Sequence, residues 1–434
     1  MKPDYSETDN TSQPDQWRLS HWLRLLCCVL LTGFITPAGA AFTVAEDIYK
    51  SLNSAQLLID SDNPLKAQEI LEQLKQRSAL SPYEKAMIHN QLGFLHYQQN
   101  RIDQAIETFE HVIKQDPIPE ALLQSTLYTL AQIYFENENY PQSIQTLKRW
   151  FAIIKNPSED AYALLAQAYY QTDNHRLVVD NLNKALSMLE EKNLSPVEQW
   201  LVMLQSSYAE LGLIEQRVSI MKWLLRIYPK KDYFLALSTA YGLLDNRSKQ
   251  LSVLEIAYKE GMLDQASELL TLASLMFSGG APYKAARVLE KGIAGEIIPA
   301  SVRHLKFLAS AWIDAREFEK AIPVLKRAAA MSATGEINVM VGNAYFNLGK
   351  WQQAAEAFQK ALEKGSIESP EKIWLLVGQC YLRLKQFDTA EKIFEKALTF
   401  EDVRDKADQW LRYTTLEAQR YEAYQAFKAT EAER

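Results

Sequence analysis

From residue 41 to the carboxyl terminus one arrangement of apolar and polar positions returns again and again. The segments LGFLHY (92–97), LAQIYF (130–135), LAQAYY (165–170), VGNAYF (341–346) and VGQCYL (377–382) are alike. Each carries a small residue, and a second set of apolar positions follows it at helical spacing. Gly93 leads to Ala105, Phe109 and Val112; Gly342 leads to Ala354, Phe358 and Ala361; Gly378 leads to Ala390, Phe394 and Ala397. Apolar residues at i, i+4 and i+7 form one stripe of an α-helix. Each unit is therefore expected to be two helices, the first around the small residue and the second carrying the stripe. Extending the frame places small residues at Ala55, Gly93, Ala131, Ala166, Ser238, Ala273, Ala309, Gly342 and Gly378, with Gln205 filling one slot poorly. A fixed period in the thirties is the mark of stacked helical repeats.

The other positions recur as well. Four residues before the small one stand Leu127, Tyr162, Leu201, Leu305 and Trp374. Three after it stand Tyr134, Tyr169, Tyr208, Tyr241, Trp312, Tyr345 and Tyr381, and Pro117 and Pro229 close two units. This register resembles the tetratricopeptide repeat family. The resemblance implies an all-α fold, a right-handed α-solenoid of about ten helix-turn-helix units occupying residues 41–434 as one continuous domain. One helix pair cannot bury its own face, so neighbours stack to make the core.

Helix punctuation fits that frame. Pro64, Pro141 and Pro282 stand where second helices begin, at a first-turn position that tolerates a missing N–H. Ser81-Pro82-Tyr83-Glu84 and Ser195-Pro196-Val197-Glu198 both read as capping boxes that restart a helix after a longer inter-repeat loop. Pro323 falls within a second helix, where a kink is expected. Residues 405–434 keep a helical rhythm through Trp410, Leu411, Leu416, Ala423 and Phe427 and are expected to form a capping helix pair.

The first forty residues follow another logic. Residues 1–16 are polar, Arg18, His21 and Arg24 precede an apolar run from Leu25 to Ile35, and Ala38-Gly39-Ala40 supplies an A-x-A site. A run of about eleven residues is short of the ~20 a membrane helix needs. The pattern predicts an export signal cleaved after Ala40, hence a periplasmic protein, with a retained inner-membrane anchor as the alternative. Cys27 and Cys28 would leave with it, so the mature chain keeps Cys380 alone and has no disulfide framework.

Composition narrows the classes. Fifteen Gly and fifteen Pro in 434 residues are too few for turn-rich β folds. A net charge of −7 disfavours nucleic acid as partner. His89 and His96 share a helix face, but seven residues is ~10.5 Å of rise, too far for one ion. Both are expected to pack, as is Cys380. Gly279-Gly280 reads as a turn, and no nucleophile, phosphate-loop or metal motif occurs, so neither catalysis nor a cofactor is expected.

What remains is binding. Resemblance to the repeat family places the groove residues beside the core positions of each first helix. These are Tyr97, Tyr128, Gln132, Phe135, Gln167 and Tyr170 over three consecutive repeats, with Asn343, Phe346, Asn347, Gln379 and Arg383 as a second surface. An amide can bond an extended peptide's backbone, and a rigid aromatic offers apolar area at low entropic cost. A protein or peptide is therefore the expected partner. Segments such as TLYTLAQIYF, NYPQSIQTLKRWF, NPSEDAYALLAQAYYQ, YPKKDYFLALSTAYGLL and GGAPYKAARVLEKGI are similar to exported repeat proteins linked with the TonB–ExbB–ExbD systems of Gram-negative bacteria. That resemblance implies a scaffold in energy-transducing uptake; a scaffold for cell-wall, pilus or outer-membrane assembly is the alternative.

Overall fold

A computed structural model describes residues 42–61 and 63–432. The leader, its two cysteines and the expected cleavage site lie outside the described residues. Among these there are 21 α-helices and no strand. They fall into two compact units, one ending at Asn174 and one beginning at His175.

The first unit holds α1 (Glu46–Asp60), α2 (Pro64–Lys75), α3 (Pro82–Gln98), α4 (Ile102–Ile113), α5 (Glu120–Glu136), α6 (Tyr140–Ile153) and α7 (Glu159–Gln171). The second begins with α8 (His175–Glu191), α9 (Glu198–Glu210), α10 (Ile214–Ile227), α11 (Lys231–Leu243), α12 (Arg247–Lys259), α13 (Ala266–Ser278) and α14 (Pro282–Ala294). It continues with α15 (Val302–Asp314), α16 (Phe318–Met331), α17 (Glu336–Asn347), α18 (Trp351–Lys364), α19 (Pro370–Arg383), α20 (Phe387–Leu398) and α21 (Arg404–Ala432). Within each unit every helix packs on the next in sequence, which makes each an all-α solenoid of tetratricopeptide-type pairs.

The two helices of a pair are built differently. α4 buries only Ala105, Phe109 and Val112, and α20 only Ala390, Phe394 and Ala397. α3 buries residues around most of its circumference, because it is covered by α4 and by neighbouring pairs. First helices thus form the interior and second helices the flank.

The small residue sets how closely the helices approach. A Cβ added to Gly93 would lie 2.8 Å from the Phe109 ring, one on Gly342 2.4 Å from Phe358, and one on Gly378 2.5 Å from Phe394. Each phenylalanine is fully buried and stands sixteen residues after its glycine. Where the frame carries alanine, that later residue is a smaller side chain: Ala55 and Leu71, Ala131 and Leu147, Ala273 and Leu289, Ala309 and Leu325. The summed volume is roughly conserved, as close packing requires. The weak Gln205 unit still folds as α9 and α10, with Met221 at the large position, and the Gln205 amide oxygen accepts from Arg217 Nε at 3.1 Å.

Turns between paired helices need one residue at positive φ. Gly212, Gly280 and Gly349 supply it in three of them, and Asn100, Glu138, Asp245, Arg316 and Lys385 in others. Short turns are therefore made with little glycine. Gly279-Gly280 is such a turn, between α13 and α14.

Two expectations change. The Ser81 box forms, its hydroxyl accepting from Glu84 N at 3.2 Å and Glu84 accepting from Ser81 N at 2.8 Å. The Ser195 box does not form. Val197 caps α9, and Glu198 instead takes Lys230 Nζ and Tyr233 Oη, each at 2.6 Å. Charged and phenolic donors from α11 bind the carboxylate more strongly than a backbone N–H does. Pro323 lies inside the second helix α16, as expected. The chain's end is one helix of 29 residues rather than a capping pair, since no Gly or Pro between Arg404 and Ala432 interrupts it.

Candidate functional site

The residues expected to line the first groove lie in the first unit, on α3, α5 and α7. Tyr97 closes α3, and its hydroxyl donates to Glu136 Oε2 of α5 at 2.7 Å, tying consecutive repeats together. Burial, and then the Glu136 carboxylate, push the Tyr97 phenol well above its usual range, so it stays protonated and donates. Glu136 is itself raised by burial, against the lowering effect of that hydrogen bond.

The aromatic residues are half-buried and lean on their own second helices. Tyr128 lies 5.0 Å from Trp150 of α6, and burial pushes its hydroxyl up to about 12. Phe135 meets Tyr140 edge-on at 5.4 Å. Edge-to-face and tilted pairs of this kind fix a ring's orientation. One part of each ring is packing and the remainder is presented to solvent.

Gln132 and Gln167 are half-buried, and neither side-chain amide bonds to another described residue. Tyr170, at the end of α7, is half-buried as well. Each glutamine thus sits on a helix that also carries half-buried aromatic residues, with its amide unbonded among the described residues. An extended backbone could supply the missing partners.

Four buried polar atoms also lack a hydrogen-bond partner on the same helices and the turn between them: Gln91 Oε1, His96 Nδ1, Gln99 Oε1 and Thr126 Oγ1. The sequence pattern did not single out Gln91, Gln99 or Thr126. They lie outside the recurring core positions of the repeat, so the spacing carried no signal for them.

Asn343, Phe346 and Gln379 lie in the second unit, on α17 and α19. Phe346 packs edge-on to Trp351 at 5.0 Å, and the Arg383 guanidinium stands 5.9 Å from the same indole. Asn343 is exposed, and its carbonyl accepts from Asn347 Nδ2 at 2.8 Å. The Gln379 amide is half-buried without a bonded partner among the described residues.

The remaining chemistry-bearing groups pack. His89 and His111 stack with ring centroids 5.1 Å apart, and burial followed by the charge of His111 lowers His89 to about 4. His96 is buried, which lowers it too. Cys380 is buried beside Phe358, Ile373 and Val377, and burial pushes its thiol up to about 12, far from the thiolate a nucleophile needs. Among the described residues no group of three His, Cys, Asp or Glu could hold a metal ion, and no helix is long and apolar enough to cross a membrane.

A family model described as a tetratricopeptide repeat matches residues 340–406. A second, described as the RNPP family C-terminal domain, matches residues 55–185, a stretch that contains all six residues of the first groove. No curated protein matches the chain. Among solved structures, a tetratricopeptide repeat protein from Parabacteroides merdae is 14% identical, covers 62% of this chain and 99% of its own, and has a TM-score of 0.35. YrrB, described as a TPR protein with an unusual peptide-binding site, is 16% identical over 40% of this chain and 85% of its own, at a TM-score of 0.34. MamA is 20% identical over 42% of this chain and 97% of its own, also at 0.34. The repeat register, the helix pairs and the match over 340–406 together make this chain a likeness of the tetratricopeptide repeat proteins, whose common property is a scaffold for protein–protein interaction.

Proposed function

We propose that the chain is a non-enzymatic scaffold that holds an extended peptide segment of a protein partner in the groove of its first unit. Gln132 and Gln167 provide backbone hydrogen bonds, and Tyr97, Tyr128, Phe135 and Tyr170 provide rigid apolar flanks. The observation that carries this reading is the pair of half-buried amides, on helices that also carry Tyr128, Phe135 and Tyr170, with no hydrogen-bond partner among the described residues. Asn343, Phe346 and Gln379 form a secondary surface with the same chemistry.

The place we assign it is the periplasm, after cleavage behind Ala40, as an accessory of a TonB-type uptake system. Support comes from the sequence of the leader and from the resemblance of segments such as TLYTLAQIYF to exported repeat proteins of those systems. A photo-crosslinking residue at Gln132, activated in cells and followed by mass spectrometry, tests both parts. Capture of TonB, ExbB or ExbD is the expected result. Capture of a cell-wall, pilus or outer-membrane assembly protein would move the scaffold to that machinery, and no capture at all would overturn the groove. Amino-terminal sequencing of the periplasmic fraction should begin at Ala41; an intact Met1 in the membrane fraction would reject the cleaved signal.

A further inference from the structure

Charge is divided unevenly between the two units. Residues 42–174 carry ten Lys and Arg against seventeen Asp and Glu, a net charge of −7, whereas residues 175–434 carry 34 against 33. The unit with the candidate groove therefore carries the acidity of the chain. Within it, α5 and α7 are the helices of Gln132 and Gln167. They contain Glu120, Glu136, Glu159 and Asp160 and no Lys, Arg or His.

Carboxylates gather at one end of the aromatic stripe. Tyr97, Phe135 and Tyr170 are each the last residue but one of α3, α5 and α7. Glu136 follows Phe135 directly and accepts from the Tyr97 hydroxyl. Glu138 and Asp173 lie in the turns just beyond α5 and α7. All three carboxylates are exposed, and none has an ion-pair partner among the described residues. The carbonyl ends of the helices add partial negative charge at the same place. Asp160, in the first turn of α7, adds to burial in raising the Tyr128 phenol, so a carboxylate acts on that ring as well.

The aromatic rings point to the same sign of ligand. In the second unit the chain covers its rings with its own cations: Lys222 Nζ stands 5.9 Å from the centre of the Tyr241 ring, Lys326 Nζ 5.2 Å from Tyr345 and Lys396 Nζ 3.9 Å from Trp374. In the first unit Lys148 lies over Tyr169, which is buried. No Lys or Arg among the described residues lies over Tyr97, Tyr128 or Phe135. A ring face attracts a cation, and an ionised carboxylate beside it adds a charge-assisted hydrogen bond.

We propose that the segment held in the first groove is cationic, with Lys or Arg side chains that lie over Tyr97 and Phe135 and pair with Glu136, Glu138 and Asp173. This rests on the groove reading above, in which Gln132 and Gln167 bind the backbone; the rings and carboxylates choose the side chains. Packed helices lie ~10 Å apart and an extended chain advances ~3.3 Å per residue, so a cation at every third residue meets successive repeats.

Fluorescence anisotropy of the full chain with three pools of labelled nonapeptides tests the proposal. The pools carry Lys, Gln or Glu at the second, fifth and eighth positions and uncharged, randomised residues elsewhere. The Lys pool should bind about tenfold more tightly than the Gln pool, and the Glu pool most weakly. Raising salt from about 0.05 M to about 0.5 M should shrink the preference. Glu136→Gln, Glu138→Gln and Asp173→Asn combined should erase it, since each amide keeps the shape of the acid and Gln still accepts from Tyr97. Glu69→Gln, Asp103→Asn and Glu107→Gln, exposed on α2 and α4, change the net charge equally and should leave the preference intact. An equal loss in both triple variants would assign the effect to the overall acidity of the unit and overturn the proposal. Equal binding of all pools, weakened by Gln132→Ala with Gln167→Ala, overturns the cationic partner and leaves the groove. Binding of the Lys pool that those two alanines do not weaken, or no binding of any pool, overturns the groove and the proposal together.

Discussion

The pair α17–α18 and the pair α15–α16 follow one another in the second unit and solve the same packing problem with different residues. In the first, Gly342 admits the ring of Phe358, and in the second Ala309 stands sixteen residues before Leu325. A glycine inside a helix costs about 1 kcal/mol against alanine, and the pair recovers that by burying a whole aromatic ring. Neither choice is better alone. The quantity that is kept is the combined volume, so the small and large positions have to be read as one.

The largest test of that comparison is Gly342→Ala. Its Cβ would lie 2.4 Å from the Phe358 ring, and overpacking should destabilise the second unit by about 2–3 kcal/mol despite the better helix propensity. Phe358→Leu in the same chain should recover most of the loss, read as the urea midpoint. If the double variant is no better than the single, the volume rule fails.

Next comes a comparison of two glycine pairs, α3–α4 and α19–α20. Four residues before the glycine and eighteen after it, the first carries His89 on His111 and the second Trp374 under Lys396 Nζ, 3.9 Å from the ring centre. His89 titrates near 4 in the fold and near 6.5 when unfolded. Below pH 6.5 the unfolded chain takes up a proton that the folded chain refuses. Stability of the first unit should therefore fall as pH drops from 6.5 to 4 and level off below. His89 is partly exposed, so the loss should be about 1–2 kcal/mol rather than the full value of the shift. Lys75, Lys85 and His111 favour the neutral ring and Glu72 opposes them. Hydrogen exchange across that range should show the slope at α3–α4 and not at α19–α20, and His89→Phe should reduce it to the part that the buried His96 contributes.

A smaller effect is expected from converting one pair type into the other. Ala309→Gly alone should cost about 1 kcal/mol, and adding Leu325→Phe should bring the unit back to within about 1 kcal/mol of wild type. A large residual loss would mean that the neighbours of Leu325 are shaped for leucine.

The smallest stability effect belongs to the groove. Gln132→Ala and Gln167→Ala should leave the melting transition within about 0.5 kcal/mol, since neither amide bonds to another described residue. Partner capture should drop several-fold. A marked fall in stability would assign both residues to packing.

Most of the fold was legible because its decisive contacts are local. The small residue, the large one sixteen later and the first-turn prolines lie within one unit, so their spacing alone carries the geometry. Even Gln205, the poorest match, folds in register because Arg217 satisfies its amide. The candidate binding residues were chosen from the sequence as residue types at given positions, which says nothing of how each is divided between packing and exposure. Nothing in the spacing of Phe135 shows that Tyr140 takes one edge of its ring, or that Tyr97 reaches Glu136 in the following repeat.

By itself the sequence determined the helix pairs, their turns and the matching of small to large, since these depend on neighbours a fixed number of residues away. Tertiary structure alone decided the rest. It gave Glu198 to Lys230 and Tyr233 instead of to its own helix start, and buried four polar atoms on α3, the turn after it and α5 without partners among the described residues. It also let one unbroken helix run past the last repeat with its tyrosines facing outward. The physical reason is common to all three. They depend on which groups are brought together by stacking one repeat on the next, or left uncovered where stacking ends, and no periodic pattern within a repeat specifies that.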